Sequence, residues 1–153
     1  MNMKYLGSMV LLFGLSSVAL ATSADPLVGK WKTIDDRTGY SLADVIISKD
    51  EKNQKYSATI INVRNVPGAP KVEICTQCTG AEKNKSLVGL EILTGLTAIT
   101  GTQNEFRLGQ LLDPNNGQHY DARARLMSNG KHLIIHGKSG QSTVGRNITW
   151  VKN

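Results

Sequence analysis

The two ends of this chain constrain its fold more than any other feature. A glycine–lysine–tryptophan triplet stands at residues 29–31, and a second segment with glycine and tryptophan runs from residue 145 to residue 150. Between them, turn-forming residues recur at short intervals, such as Asn129-Gly130, whose residues tolerate the positive φ of a type I′ turn. Short strands at this spacing, without a sustained helical period, predict an antiparallel sandwich or barrel. The matching ends favour a barrel in which the first and last strands pair.

Apolar side chains recur at every second position between these turns. In the clearest case Tyr120, Ala122 and Ala124 alternate with charged residues. This period of two directs one set to the interior and the other to solvent. The sequence predicts one all-β domain of eight strands, at residues 29–36, 40–48, 55–63, 87–94, 105–112, 118–127, 131–138 and 143–151. Eight antiparallel strands in up-and-down order close into a barrel that is either packed solid or hollow enough for one small ligand.

The first 21 residues are predicted to be a cleaved signal peptide. Lys4 precedes an apolar run that ends at Leu20, and Ala19-Leu20-Ala21 has the small-x-small pattern of a signal peptidase site. We expect cleavage after Ala21, or alternatively after Ala24, and a barrel domain over residues 22–153. The apolar run is too short to span a bilayer. The sequence therefore predicts an exported protein, periplasmic or secreted, that does not span the membrane.

The positive charges are dispersed along the chain. There are 18 lysines and arginines against 12 acidic residues, and removal of Lys4 with the leader leaves a formal net charge of +5. Pairs such as Arg123 and Arg125, two positions apart, share one face of a strand, as on a solvated surface. The basic stripe typical of nucleic-acid binding is missing, so no nucleic-acid partner is expected. A cationic surface also favours contact with anionic lipid headgroups or the cell envelope.

The opening triplet resembles the lipocalin first-strand motif Gly-x-Trp. In that superfamily the tryptophan closes one end of the barrel and an arginine of the last strand stacks across it. The resemblance implies that Trp31 and Arg146 close the barrel here. Such an arginine–indole contact contributes about 0.5–2 kcal/mol.

The chain after the leader is also similar, over nearly its whole length, to a domain-of-unknown-function family of small secreted bacterial proteins. Five ordered blocks carry the similarity, at residues 29–36, 75–78, 89–93, 112–120 and 145–150. One departure is that residues 94–104 lack the tryptophan expected near their start. The resemblance implies a bacterial source, a lipocalin-like (calycin) barrel and no established enzymatic activity.

Cys75 and Cys78 form the sharpest local motif, and three hypotheses explain it. An exported protein can keep a disulfide, which would fix the shape of the long connection at residues 64–86. Redox exchange is less favoured, because no long amphipathic helix follows the pair. A metal site would need two of His119, His132 and His136, far from the usual zinc spacing.

We expect a protein that binds a small hydrophobic or amphipathic molecule inside the barrel. No nucleophile triad, paired-carboxylate motif or phosphate-binding loop is present, so no catalytic residue, metal or cofactor is predicted. One alternative is a solid-cored envelope-associated interaction or stress protein, and the other is a thiol–disulfide redox protein. The small inward alanines favour a cavity. Its predicted lining is Tyr56, Ile60, Leu90, Ile92, Phe106, Leu108, Tyr120, Ala122 and Ala124.

Overall fold

The fold is described from a computed structural model over residues 23–140 and 145–153. These residues contain eight strands that pair in chain order and close into an antiparallel barrel, which confirms the predicted fold class. The strands are β1 (Gly29–Ile34), β2 (Ser41–Lys49), β3 (Tyr56–Val63), β4 (Glu91–Ala98), β5 (Glu105–Asp113), β6 (Gln118–Leu126), β7 (His132–Lys138) and β8 (Arg146–Lys152). A short 3-10 helix, Gly80–Glu82, lies between β3 and β4. Among the described residues, no helix is long and apolar enough to cross a membrane.

The barrel is closed by the pairing of β1 with β8. Trp31 lies opposite Lys152, and Thr33 lies opposite Trp150. The predicted meeting of the two chain ends is therefore confirmed. Because every strand has two neighbours, the closed sheet has no open edge along which another chain could pair.

The fourth strand begins later than the sequence predicts. Residues 87–90 form a turn in which the N–H of Leu90 donates to the carbonyl of Leu87 at 3.1 Å. Gly89 has a φ of 91°, outside the range of a strand. The apolar run that suggested a strand from residue 87 therefore belongs partly to the turn, and β4 extends instead to Ala98.

The barrel has two unlike ends. At the end that holds Trp31, which we call the Trp31 end, short turns join β2 to β3, β4 to β5 and β6 to β7. At the opposite end, which we call the long-loop end, residues 64–90 connect β3 to β4. This long connection lies over one barrel mouth, and the short turns leave the other mouth to be sealed by different means.

The residues that precede β1 seal the Trp31 end. Leu27 and Trp31 are completely buried, and the indole N–H of Trp31 donates to the carbonyl of Leu27 at 2.8 Å. Asp25 accepts a hydrogen bond from the Tyr56 hydroxyl at 2.7 Å. Tyr56 in turn meets Phe106 edge to face, with 5.5 Å between ring centroids. This half of the barrel is consequently packed with side chains.

Candidate ligand cavity

A cavity of about 340 Å³ lies at the long-loop end of the barrel. Its volume falls within the range of about 300–1,000 Å³ that is typical of small-molecule sites. Most of its walls are aliphatic or aromatic. The apolar lining consists of Ile34, Leu42, Ala43, Ile60, Val63, Val66, Ala69, Pro70, Val72, Leu87, Ile92, Leu111, Leu112, Pro114, Ile148 and Trp150.

The long connection supplies one wall of the cavity and is anchored where it leaves β3. Its first residue, Arg64, donates to the Asp44 carboxylate through Nε at 3.0 Å and Nη2 at 2.7 Å, and Asn62 donates to the same carboxylate at 3.0 Å. Burial opposes ionisation of Asp44, but these hydrogen bonds outweigh it and lower the pKa of Asp44. A charge-assisted anchor of this kind fixes the direction in which the connection crosses the barrel mouth.

A disulfide between Cys75 and Cys78 holds the middle of this connection. Both cysteines are buried, with exposures of 1% and 0%. The Cys75 sulfur lies 3.6 Å from the carbonyl oxygen of Pro114 in the β5–β6 turn. Gly117 of the same turn approaches the backbone of Gln77 so closely that a Cβ there would lie 1.9 Å from its carbonyl oxygen. The disulfide loop, residues 75–78, is thus docked on the β5–β6 turn.

This geometry bears on the three hypotheses for the cysteine pair. The structural disulfide is present. Redox exchange is not supported, because a reactive cysteine is accessible to its partner and these two are buried. The metal hypothesis fails as well, since paired sulfurs offer no thiolate ligands. Within residues 23–140 and 145–153, no group of histidine, cysteine or carboxylate side chains could hold a metal ion.

Arg146 lies where the apolar cavity meets a polar hollow of about 460 Å³. Its guanidinium donates to Asp113 at 2.9 Å and to the two carboxylate oxygens of Asp36 at 3.1 and 3.3 Å. The hydrogen bond to Asp36 raises the pKa of Arg146, and the same contact lowers the pKa of Asp36. Asp113 has 7% of its side chain exposed, whereas Asp36 has 37%. The mouth therefore carries a fixed cation with one buried and one accessible counter-ion.

The prediction that Arg146 stacks on Trp31 is wrong. The cation over the indole is the Lys152 ammonium, 5.2 Å from the ring centroid. Because Lys152 lies opposite Trp31, Arg146 lies six residues back along β8, about 20 Å away at roughly 3.3 Å per strand residue. Trp31 is buried at its own end of the barrel, whereas Arg146 lies at the opposite mouth.

The structure places the predicted lining residues in several different environments. Ile60 and Ile92 line the cavity, and Leu90 lies beside it in a surface groove that shares Ile92 as a wall. The other buried members, Tyr56, Phe106, Ala122 and Ala124, belong to the packed core and are not walls of this cavity. Tyr120 is partly buried against the same core.

The space beside the small inward residues is occupied. A Cβ added at Gly109 would lie 3.0 Å from a methyl of Leu96 and 3.4 Å from the Cβ of Ala122, so residues of the two neighbouring strands already fill this volume. In β6 the pattern of alternating residues identified the inward positions correctly. It could not indicate at which level of the barrel the neighbouring side chains leave a void.

The prediction that Leu108 faces inward is wrong. Leu108 is 71% exposed and has a φ of 62°. The register of β5 against β6 shifts between Phe106 and Gly109, so one extra residue is inserted. A bulge of this kind interrupts the alternation and redirects a side chain to the other face.

Several cavity residues were missed by sequence reasoning. Val66, Ala69, Pro70 and Val72 belong to the long connection, which has no strand period. Other missed walls, such as Ile148, lie on predicted strands but at levels that alternation does not distinguish. Only the path of the long connection brings these groups together.

The arrangement, a closed eight-stranded barrel with a cavity at one mouth, defines a lipocalin-like fold. A solved structure described as "Protein HP1028 from the human pathogen Helicobacter pylori belongs to the lipocalin family" aligns with a TM-score of 0.65. The identity is 21%, over 83% of this chain and 82% of that one. The likeness shows the shared barrel.

The family follows from the sequence match. Residues 29–152 match the family model DUF2147, described as an uncharacterized protein conserved in bacteria. The chain belongs to this family, as the ordered motifs indicated. A comparison with curated proteins found no match.

Proposed function

We propose that this protein is exported and binds a small hydrophobic or amphipathic molecule in the cavity at the long-loop end. The observation that carries the proposal is the apolar cavity of about 340 Å³ that opens next to Arg146. The similarity to a lipocalin-family structure supports the barrel that contains this cavity. The predicted leader at residues 1–21, which lies outside the described residues, supports export.

The cavity can supply modest affinity through burial alone. About ten methylenes removed from water contribute roughly 8 kcal/mol gross. Association and ordering oppose this by at least 4 kcal/mol or so. The remainder, at most about 4 kcal/mol, corresponds to a dissociation constant of about 1 mM or weaker. Tighter or selective binding therefore requires a polar contact in addition to the apolar walls.

Arg146 is positioned to make that contact. Its side chain is 36% exposed at the boundary between the apolar cavity and the polar hollow. Asp36, the accessible counter-ion, lies in the β1–β2 connection. A ligand oxygen can displace Asp36 from one edge of the guanidinium, while Asp113 remains hydrogen-bonded to the other. We therefore favour an amphipathic ligand whose polar head accepts hydrogen bonds and whose apolar part fills the cavity.

Native mass spectrometry of the protein purified from its own cells tests the proposal. Any bound molecule is then released by denaturing extraction and identified. We expect a lipid or hydrophobic metabolite on the wild type. The matched variant Ala43→Phe places a ring in the cavity wall and should carry much less of it.

Two outcomes contradict the cavity as the binding site. One is a ligand retained equally by wild type and Ala43→Phe. The other is a wild-type protein that stays free of ligand even when saturated with candidate lipids, which would favour a partner protein in the envelope instead.

A further inference from the structure

Leu108 projects from the barrel into solvent, and packing does not explain its backbone conformation. It is the most exposed of the large apolar side chains that the structure describes, at 71%. Its φ of 62° is unfavourable for a bulky L-residue, and glycine would adopt it freely. A bulge that directs a leucine into solvent at a backbone cost is a feature for which a function should be sought.

Three arginines share the outer face of β5 and β6 with Leu108. Arg107 is its neighbour in β5, and Arg123 and Arg125 occupy the adjacent outward positions of β6; all three are exposed. We call these four residues the Leu108 patch. It combines one exposed apolar side chain with three exposed basic side chains.

Two carboxylates on the same face only partly offset this charge. Glu105 lies 3.9 Å from Arg125, and Asp121 is hydrogen-bonded to Gln110. Lys138 lies opposite Asp121 in the neighbouring strand and adds a further positive charge. The face as a whole remains basic, which makes it complementary to an anionic surface.

We propose that the Leu108 patch docks the protein on an anionic lipid surface. Leu108 would enter the boundary between headgroups and acyl chains, and the arginines would contact lipid phosphates. Interfacial binding of this kind combines an apolar insertion with basic residues. A protein partner is less well matched, since a stable protein interface buries about 800 Å² on each side around several apolar anchors, and this patch offers one. The docking is independent of what the cavity binds.

Vesicle flotation of the purified protein tests the charge component. We expect binding to phosphatidylcholine vesicles that contain phosphatidylglycerol, weak binding to phosphatidylcholine alone, and release by salt. Each basic residue near an anionic membrane contributes about a fivefold change in affinity, so Arg123→Gln should weaken binding by about that factor. Lys55→Gln removes another exposed positive charge, at the β2–β3 turn, and serves as the matched control.

Leu108→Gly tests the apolar component without disturbing the fold. Glycine retains the left-handed backbone, so thermal stability should be no lower than that of the wild type. Loss of the side chain should weaken vesicle binding by about tenfold, which corresponds to partial burial of one leucine. Val88→Ser, at another apolar residue that is 52% exposed, should bind as the wild type does.

The proposal is overturned if the protein binds neither vesicle composition, or binds both equally. It is also overturned if Leu108→Gly and Arg123→Gln bind anionic vesicles as tightly as their controls. In the first of these cases a protein partner becomes the better hypothesis for the patch.

Discussion

Replacing Gly117 by alanine tests whether the disulfide loop is docked on the β5–β6 turn. Gly117 has a φ of 71°, which costs an L-residue about 1–2 kcal/mol. A Cβ there would also lie 1.9 Å from the carbonyl oxygen of Gln77 and 2.9 Å from the amide nitrogen of Cys78. Both are backbone atoms, so a side-chain rotation cannot relieve the clash. The turn and the loop must separate.

Gly130→Ala is a matched control for this change. Gly130 has a φ of 65°, and a Cβ there would have nothing within 4 Å. Gly130→Ala should therefore lower the free energy of unfolding by about 1–2 kcal/mol, the backbone cost alone. Gly117→Ala adds overpacking of about 1–3 kcal/mol, for a total of about 2–5 kcal/mol.

Urea denaturation and thermal melting followed by circular dichroism measure both variants. For a domain of this size, 1 kcal/mol corresponds to roughly 4 °C in melting temperature, so the difference between the variants is measurable. The far-ultraviolet spectrum at low temperature should still show a β-barrel in each case. Equal losses in the two variants would refute the docking, because the clash is the one feature that distinguishes them.

Three further predictions concern the cavity, the Trp31 end and the anchor of the long connection. Ala43→Phe should lower the free energy of unfolding by less than about 1 kcal/mol, because the new ring enters a void. Ala122→Phe should lower it by about 1–3 kcal/mol, because the ring enters the packed half of the barrel. Equal losses in thermal melts would argue against the cavity. Lys152→Met removes the ammonium that lies over the Trp31 ring and should reduce the free energy of unfolding by about 0.5–1 kcal/mol. Urea denaturation followed by tryptophan fluorescence measures this loss. An unchanged free energy of unfolding would mean that the ammonium contributes nothing. Asp44 has a lowered pKa in the fold, so its contribution is complete above its unfolded pKa of about 3.9 and is lost as pH falls through the folded value. The stability difference between wild type and Asp44→Asn should be constant from neutral pH to about pH 5 and shrink below about pH 4; a difference that grows in acid would contradict this sign.

The division of the barrel into a packed half and a hollow half has a consequence for ligand entry. The Trp31 end is sealed by residues 25–27, which are fixed by hydrogen bonds to Trp31 and Tyr56. The cavity is at the other end, beneath residues 64–90. If the proposed ligand occupies this cavity, its route from solvent runs past the long connection or beside Arg146.

The barrel itself could be predicted from the sequence because its determinants are local. Alternation with period two identified inward positions such as Ala122, and turn residues separated the strands. The strand predicted at residues 87–94 lies at Glu91–Ala98 in the structure. Apolar composition does not distinguish a turn that contains Gly89 from a strand. Apart from such interruptions, composition and period determined the strand order, and the ordered motifs identified the family.

The location of the cavity was decided by the tertiary structure. Whether an inward side chain touches a ligand or another side chain depends on which side chains of other strands extend into the space beside it, and Leu96 extends into the space beside Gly109 and Ala122. The outward direction of Leu108 depends on a bulge. The bulge exists because β5 has one residue more than the segment of β6 with which it pairs. Arg146 reaches the open mouth because the β1–β8 register places Lys152, and not the arginine, beside Trp31. Period and composition describe each strand separately, whereas voids, bulges and register are relations between strands.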